Sequence, residues 1–143
     1  MRGELEAEAQ ALGIAEKVIF TGFVNQTQLP ALYRSADIMV LPSEYDPCPV
    51  VVCEAMLCGC PVILSDNVRG RAELIRQGET GYFFPCGDVD VLAKLLQEVL
   101  SDPFHLKAMS AKARQRMETW SPRENIESHV QAIQRSMELV AQG

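Results

Sequence analysis

The most constraining feature of the sequence is a pair of short strand-like runs separated by a stretch just long enough for a turn and one small helix. Asp37-Ile38-Met39-Val40-Leu41, stopped by Pro42, and Pro61-Val62-Ile63-Leu64 both read as strands. Between them, Val50-Val51-Val52 favours β-structure by its side-chain branching, and context overrides that preference. Two parallel strands need a right-handed crossover, Pro49 suits a first helical position and Gly59 suits a C-terminal cap. Residues 49–58 are therefore expected to form one short helix, apolar all round and so buried on most sides.

The remaining pattern extends this unit in both directions. Leu5, Ala9 and Leu12 have helical spacing before Gly13; Val18-Ile19-Phe20-Thr21 reads as a strand ended by Gly22; Leu29, Leu32 and Tyr33 mark a helix up to Ala36. Residues 72–76 suit a helical turn or two, and Gly81-Tyr82-Phe83-Phe84 a last short strand. Residues 88–140 then carry three apolar helical stripes: Leu92, Leu95, Leu96, Val99 and Leu100; Leu106, Met109 and Met117; Ile126, Val130, Ile133, Met137 and Val140. The third opens on a capping box with proline, Ser121-Pro122-Arg123-Glu124. Strands alternating with helices imply an α/β layer structure with a mostly parallel sheet of about four strands and flanking helices.

At 143 residues and 48% hydrophobic content, one domain with one core is expected. The net charge of -6 argues against a nucleic-acid or anionic-membrane surface, since no basic patch is segregated. No apolar run approaches the roughly 18 residues of a membrane span, and the N-terminus is acidic and helical; the chain reads as cytoplasmic and soluble. Five cysteines, Cys48, Cys53, Cys58, Cys60 and Cys86, make an odd count without a zinc-type C-x-x-C pair. They are read as reduced thiols filling a tight interior, with a zinc or redox role for Cys58-Gly-Cys60 as the alternative.

In parallel α/β sheets ligands gather at the carboxyl ends of strands, which directs attention to residues 42–54. The turn-rich loop Pro42-Ser43-Glu44-Tyr45-Asp46-Pro47-Cys48-Pro49 delivers Asp46 to that rim, and Glu54 lies on the following helix. Pro49 has no amide hydrogen, but those of Val50 and Val51 lack intrahelical partners and suit a diphosphate at the positive end of the helix dipole. A carboxylate such as Glu54 can accept two hydrogen bonds from a vicinal diol, as a ribose presents. By spacing alone, either acid could equally be a cap or a solvated group. His105 and His129 read as solvated helix-surface residues, and Trp120 as a packing anchor.

The run from Leu41 through Asp46, Glu54 and Gly59 to Ile63 resembles the signature of glycosyltransferase family 4, whose members have the GT-B fold of two facing Rossmann-like domains. Phe20-Thr21-Gly22-Phe23-Val24, Leu32-Tyr33-Arg34-Ser35-Ala36-Asp37, Ser65-Asp66, Gly78-Glu79-Thr80-Gly81-Tyr82 and Gly87-Asp88 also stand where that family places them. The resemblance covers nearly the whole chain. It implies a retaining glycosyltransferase, moving a hexosyl group from a nucleotide-sugar such as a UDP- or GDP-hexose to a hydroxyl acceptor without an obligatory metal or cofactor. Glu54 would hold the ribose and Asp46 would contact the donor sugar, with a turn cap as the alternative for Asp46. The family usually has glutamate there, one methylene longer. Pro47-Cys48-Pro49 replaces a common Gly-Phe-Gly, so phosphate binding would lean on Val50 and Val51. The turn from Gly22 to Val24 resembles the segment that contacts the nucleobase, an ordinary turn being the alternative.

The same resemblance implies that residues 1–143 are a partial C-terminal donor-binding domain, beginning just before the third strand of a 3-2-1-4-5-6 sheet. The family's phosphate-binding Arg and Lys pair has no match here; Arg69 and Arg71 could approach phosphate or remain solvated. The acceptor site would belong to an N-terminal domain, so the chain is expected to be inactive alone. Partners are then a separate N-terminal half, or further copies associating through exposed strand edges. The alternative is a non-catalytic nucleotide-binding or oligomerisation module. The stripe from Ile126 to Val140 is expected to lack a partner.

Overall fold

The computed structural model describes residues 2–120 and 122–141, and their side chains except at 71, 122–125 and 139–141. In chain order these form α1 (Arg2–Ala11), a 3-10 turn (Ala15–Lys17), α2 (Leu29–Ser35), β1 (Met39–Leu41), α3 (Val50–Leu57) and β2 (Val62–Ser65). They continue through α4 (Arg71–Leu74), β3 (Gly81–Phe84), α5 (Val89–Ser101), α6 (Pro103–Met117) and α7 (Pro122–Ala141). The expected Ser121–Glu124 capping box lies outside the described residues.

The strands form one parallel sheet in the order β1-β2-β3, with Val62 opposite both Met39 and Gly81. Every residue of β2 is buried, as a central parallel strand covered on both faces requires. Gly81 is required at its position by close approach: a Cβ there would stand 2.3 Å from the Val62 carbonyl oxygen.

The ambiguous valine run is helical. Tertiary context overrides its β-propensity because the crossover must bury Val52, Ala55 and Met56 against Val62 and Leu64. Pro49 is the N-cap, one position earlier than expected. At the other end, Gly59 adopts φ 80°. Its amide donates to the Met56 carbonyl and that of Cys60 to the Ala55 carbonyl, both at 2.9 Å, completing a Schellman cap. The helix is not buried all round, since Val50 and Leu57 are exposed. From the far side α6 closes the core with Ala113 and Met117. The Ser110 hydroxyl fastens that packing by donating to the Gly59 carbonyl.

Three strands are present among the described residues, where about four were expected. Residues 18–21 are not in a strand, and Ile19 is 85% exposed. Branched and aromatic side chains favour an extended backbone there, but a strand needs a ladder partner, and β1 pairs only with β2. Among the described residues the outer edge of β1 is therefore unpaired.

The C-terminal helices follow their stripes unevenly. Asp88 caps α5 by accepting from the Val91 amide at 2.9 Å, and Met109 and Met117 of α6 are buried. On α7, Ile126, Val130, Ile133 and Met137 are all exposed. Two expectations need correction. His105 is half-buried with its Nε2 3.1 Å from the Tyr82 hydroxyl, because α6 packs it toward β3. Trp120 is 43% exposed and is stacked by the Arg116 guanidinium rather than sunk in the core.

Candidate functional site

The connection from β1 to α3 is held to the carboxyl end of the sheet by contacts that span the chain. Ser65, fully buried at the end of β2, donates its hydroxyl to the Ser43 carbonyl. Cys86, just after β3, points its thiol to the same carbonyl at 3.8 Å, and its amide donates to Asp66 Oδ1 at 2.9 Å. Asp46 and Val68 form a parallel bridge, in which the Arg69 amide donates to the Asp46 carbonyl at 2.8 Å. The acidic loop is thus built onto the rim where open α/β sheets bind ligands.

Within this loop Asp46 is half-buried, and its Oδ1 accepts from the Cys48 amide at 3.0 Å. That bond is the turn cap foreseen as an alternative; it occupies one of about four acceptor sites of the carboxylate. At the start of α3 the Val50 amide donates to the Cys48 carbonyl at 2.8 Å, and the Val52 amide to that of Pro49 at 3.0 Å. The expectation of two free amides is met only at Val51: among the described residues no backbone carbonyl accepts from it. The Pro47-Cys48-Pro49 turn folds back so that the Cys48 carbonyl takes the Val50 amide. Both valine side chains are exposed, so this end of the helix is open to solvent.

Glu54 is half-buried one turn further along α3. It lines a cleft of about 300 Å³ between α2 and α3, together with Gln26, Leu29, Tyr33, Leu57 and Cys58. Burial raises the Tyr33 pKa, and the neighbouring Glu54 carboxylate raises it further by charge and hydrogen bonding. Gly22 turns the chain with φ 64°, Val24 is half-buried, and the same loop reaches the cleft at Gln26. Asp46, Val50 and Val51 are outside the lining of that cleft, so the two acids sit on one connection without sharing an enclosed pocket.

Arg69 is exposed and tied to the loop through its amide; the side chain of Arg71 lies outside the described residues. The five cysteines are free thiols, and among the described residues no group of three or more His, Cys, Asp or Glu could hold a metal ion. Cys60 is the interior filler expected, its pKa pushed up to about 11 by burial first and then by Cys58 and Asp37, whereas Cys48 is exposed. Among the described residues no helix is long and apolar enough to cross a membrane.

Sequence reasoning assigned no role to two residues that it quoted. Tyr33 was read as an apolar position of α2 within a family-like run, although a tyrosine on such a face needs a polar partner. Ser65 ends an apolar strand run, and a buried serine there must spend its hydroxyl on a nearby carbonyl. Replacing Ser65 by alanine leaves the Ser43 carbonyl without that donor. The expected cost is about 1–3 kcal/mol in urea unfolding, with faster amide exchange across residues 43–48.

Comparison with known proteins shows the family and the fold of the chain. An uncharacterised glycosyltransferase of Methanocaldococcus jannaschii is 42% identical over 102 residues, 71% of this chain and 26% of the relative. Sucrose-phosphate synthase of Thermosynechococcus elongatus superposes with a TM-score of 0.81 at 32% identity, over 99% of this chain and 35% of that one. Anabaena HepE, solved in complex with UDP-glucose, superposes with a TM-score of 0.79 at 25% identity, over 94% of this chain and 36% of that one. The chain thus spans about a quarter of the curated relative's length and about a third of each solved chain. The α/β sheet with flanking helices is that of a Rossmann-like GT-B domain. A family model described as "Glycosyl transferases group 1" matches residues 1–116, and the chain belongs to that family.

Proposed function

We propose that residues 1–143 supply the donor-binding part of a retaining glycosyltransferase that moves a hexosyl group from a nucleotide-sugar to a hydroxyl acceptor. The observation that carries this reading is the β1–α3 connection, pinned through Ser43 and Asp46 onto the carboxyl rim of the sheet with Glu54 beside an open cleft. Glu54 accepts two hydrogen bonds from the ribose diol, and the Gly22–Val24 turn lies against the base. The diphosphate meets the Val51 amide at the positive end of α3, with Val50 joining once its amide leaves the Cys48 carbonyl. Asp46 retains acceptor capacity for a sugar hydroxyl, with Cys48 holding its other oxygen. The likeness to HepE, solved with UDP-glucose, supports a nucleotide-sugar as the ligand class.

Catalysis in this reading is electrostatic: fixed N–H dipoles stabilise the diphosphate as it leaves, and no metal is obligatory. Isothermal calorimetry with UDP, GDP, UDP-glucose and GDP-mannose tests it. Saturable binding of one base, unchanged in EDTA, is expected. Binding that requires a divalent cation overturns the metal-free part, and the absence of binding by the folded chain overturns the donor-site assignment.

A second reading, a non-catalytic nucleotide-binding or oligomerisation module, is favoured by the open edge of β1 and the exposed α7 stripe. Sedimentation velocity together with the calorimetry tests the oligomerisation form of this reading, which a stable oligomer that binds no nucleotide supports.

A further inference from the structure

A second concave site lies away from the β1–α3 connection. The loop from Arg76 to Thr80 enters β3 at Gly81, so it lies at the amino end of that strand, opposite the rim that carries Asp46. Between this loop and the last turns of α6 is a cleft of about 290 Å³, lined by Arg76, Glu79, Thr80, Lys112, Arg116 and Thr119 among others. Three cations thus converge on one hollow against the single carboxylate of Glu79, in a chain whose net charge is -6. Glu79 neutralises little of this, since its nearest approach to the Lys112 ammonium is 3.9 Å with both side chains half exposed.

Arg116 supplies an independent observation. Its guanidinium is held in place, Nη2 donating to the Glu73 carbonyl and the group stacking 5.6 Å from the centroid of Trp120. Its Nε is nevertheless buried without a hydrogen-bond partner. Arg116 is among the lining residues, so an oxyanion in the hollow meets a guanidinium already held in position rather than one that must be ordered on binding. The dipole at the C-terminus of α6 accounts for cations in its own last turn, but not for Arg76 reaching the hollow from the β3 side.

We infer that this hollow binds a phosphate-type oxyanion through Arg76, Lys112 and Arg116, either free or carried by a small organic group for which the cleft has room. The loop's own hydrogen bonds preform it: the buried Thr80 hydroxyl accepts from the Arg76 amide at 2.9 Å, and the Thr80 amide donates to the Arg76 carbonyl at 3.0 Å.

Trp120, the single tryptophan of the chain, stacks on Arg116 and reports the site by its fluorescence. The full chain is titrated with inorganic phosphate, with sulfate and with glucose 6-phosphate, each against sodium chloride at matched ionic strength. A saturable response to the dianions but not to chloride is expected, persisting in Glu54→Ala. Tighter binding of glucose 6-phosphate than of phosphate assigns the site to an organic phosphate, and equal or weaker binding to the free ion. Arg116→Gln removes the bond to the Glu73 carbonyl and can destabilise the chain, so Lys112→Gln, an exposed change, is the decisive variant. It should weaken dianion binding about tenfold. A response matched by chloride, one lost in Glu54→Ala, or an affinity unchanged in Lys112→Gln overturns the inference.

Discussion

Replacing Gly81 by alanine is expected to lower the unfolding free energy by about 3 kcal/mol, a large share of the roughly 5–15 kcal/mol that holds a native domain together. The new methyl group would sit 2.3 Å from the Val62 carbonyl oxygen, with Val62 Cγ2 and Ile75 Cγ2 at 3.1 and 3.2 Å. None of these can yield cheaply. Val62 is fully buried in the central strand and paired with Gly81 itself, so relief requires β3 to move off β2 and break the ladder. Ile75 belongs to the same closed cluster as Met56 and Met117. The loss is read in urea unfolding followed by far-ultraviolet circular dichroism. Gly3→Ala is the control, because a Cβ at this exposed position of α1 meets nothing within 4 Å. It should be neutral or stabilise by up to about 1 kcal/mol. Equal effects at the two positions would show that close approach does not explain Gly81.

Where local pattern and burial agree, the fold was legible. β1, β2 and β3 fall within two residues of the expected runs, because an apolar stretch bounded by Pro42, Pro61 or Gly81 leaves little choice of start and stop. The helical assignment of Val50-Val51-Val52 depended on topology rather than propensity, and the Schellman cap at Gly59 shows why: that cap turns the chain directly into β2. Residues 18–21 were misread for the complementary reason. Their composition encodes extension, but a strand is a property of two segments, and the partner cannot be read from one.

The position of the candidate site was legible at the level of its loop and less so at the level of its atoms. Asp46 and Glu54 could be singled out from one connection and its likeness to a family, but the engagement of the Val50 amide by the Cys48 carbonyl depends on how a Pro-Cys-Pro turn closes. Tyr33 approaches Glu54 from a helix that precedes β1, so its role needs the packing of α2 on α3. The cationic hollow likewise joins residues more than thirty positions apart, Arg76 to Lys112, and no local pattern announces it.

Glu54→Ala is expected to have the largest effect on ligand binding. A carboxylate that accepts two hydrogen bonds from a ribose diol contributes at least about 1.5 kcal/mol through each, so its removal should weaken nucleotide binding roughly 100-fold. Stability should change far less, because Glu54 is only half-buried and belongs to the cleft wall rather than the closed core. Tyr33 provides an internal check: without Glu54 its pKa should fall toward that of an ordinary tyrosine, the burial contribution remaining. The most direct test is therefore calorimetric titration of the wild-type chain and Glu54→Ala with UDP and GDP, alongside unfolding curves for both. Saturable binding of one nucleotide by the wild type, lost in an equally folded variant, is the result the donor-site account predicts. Binding that survives unchanged in Glu54→Ala, or no binding by the folded wild-type chain, would contradict it.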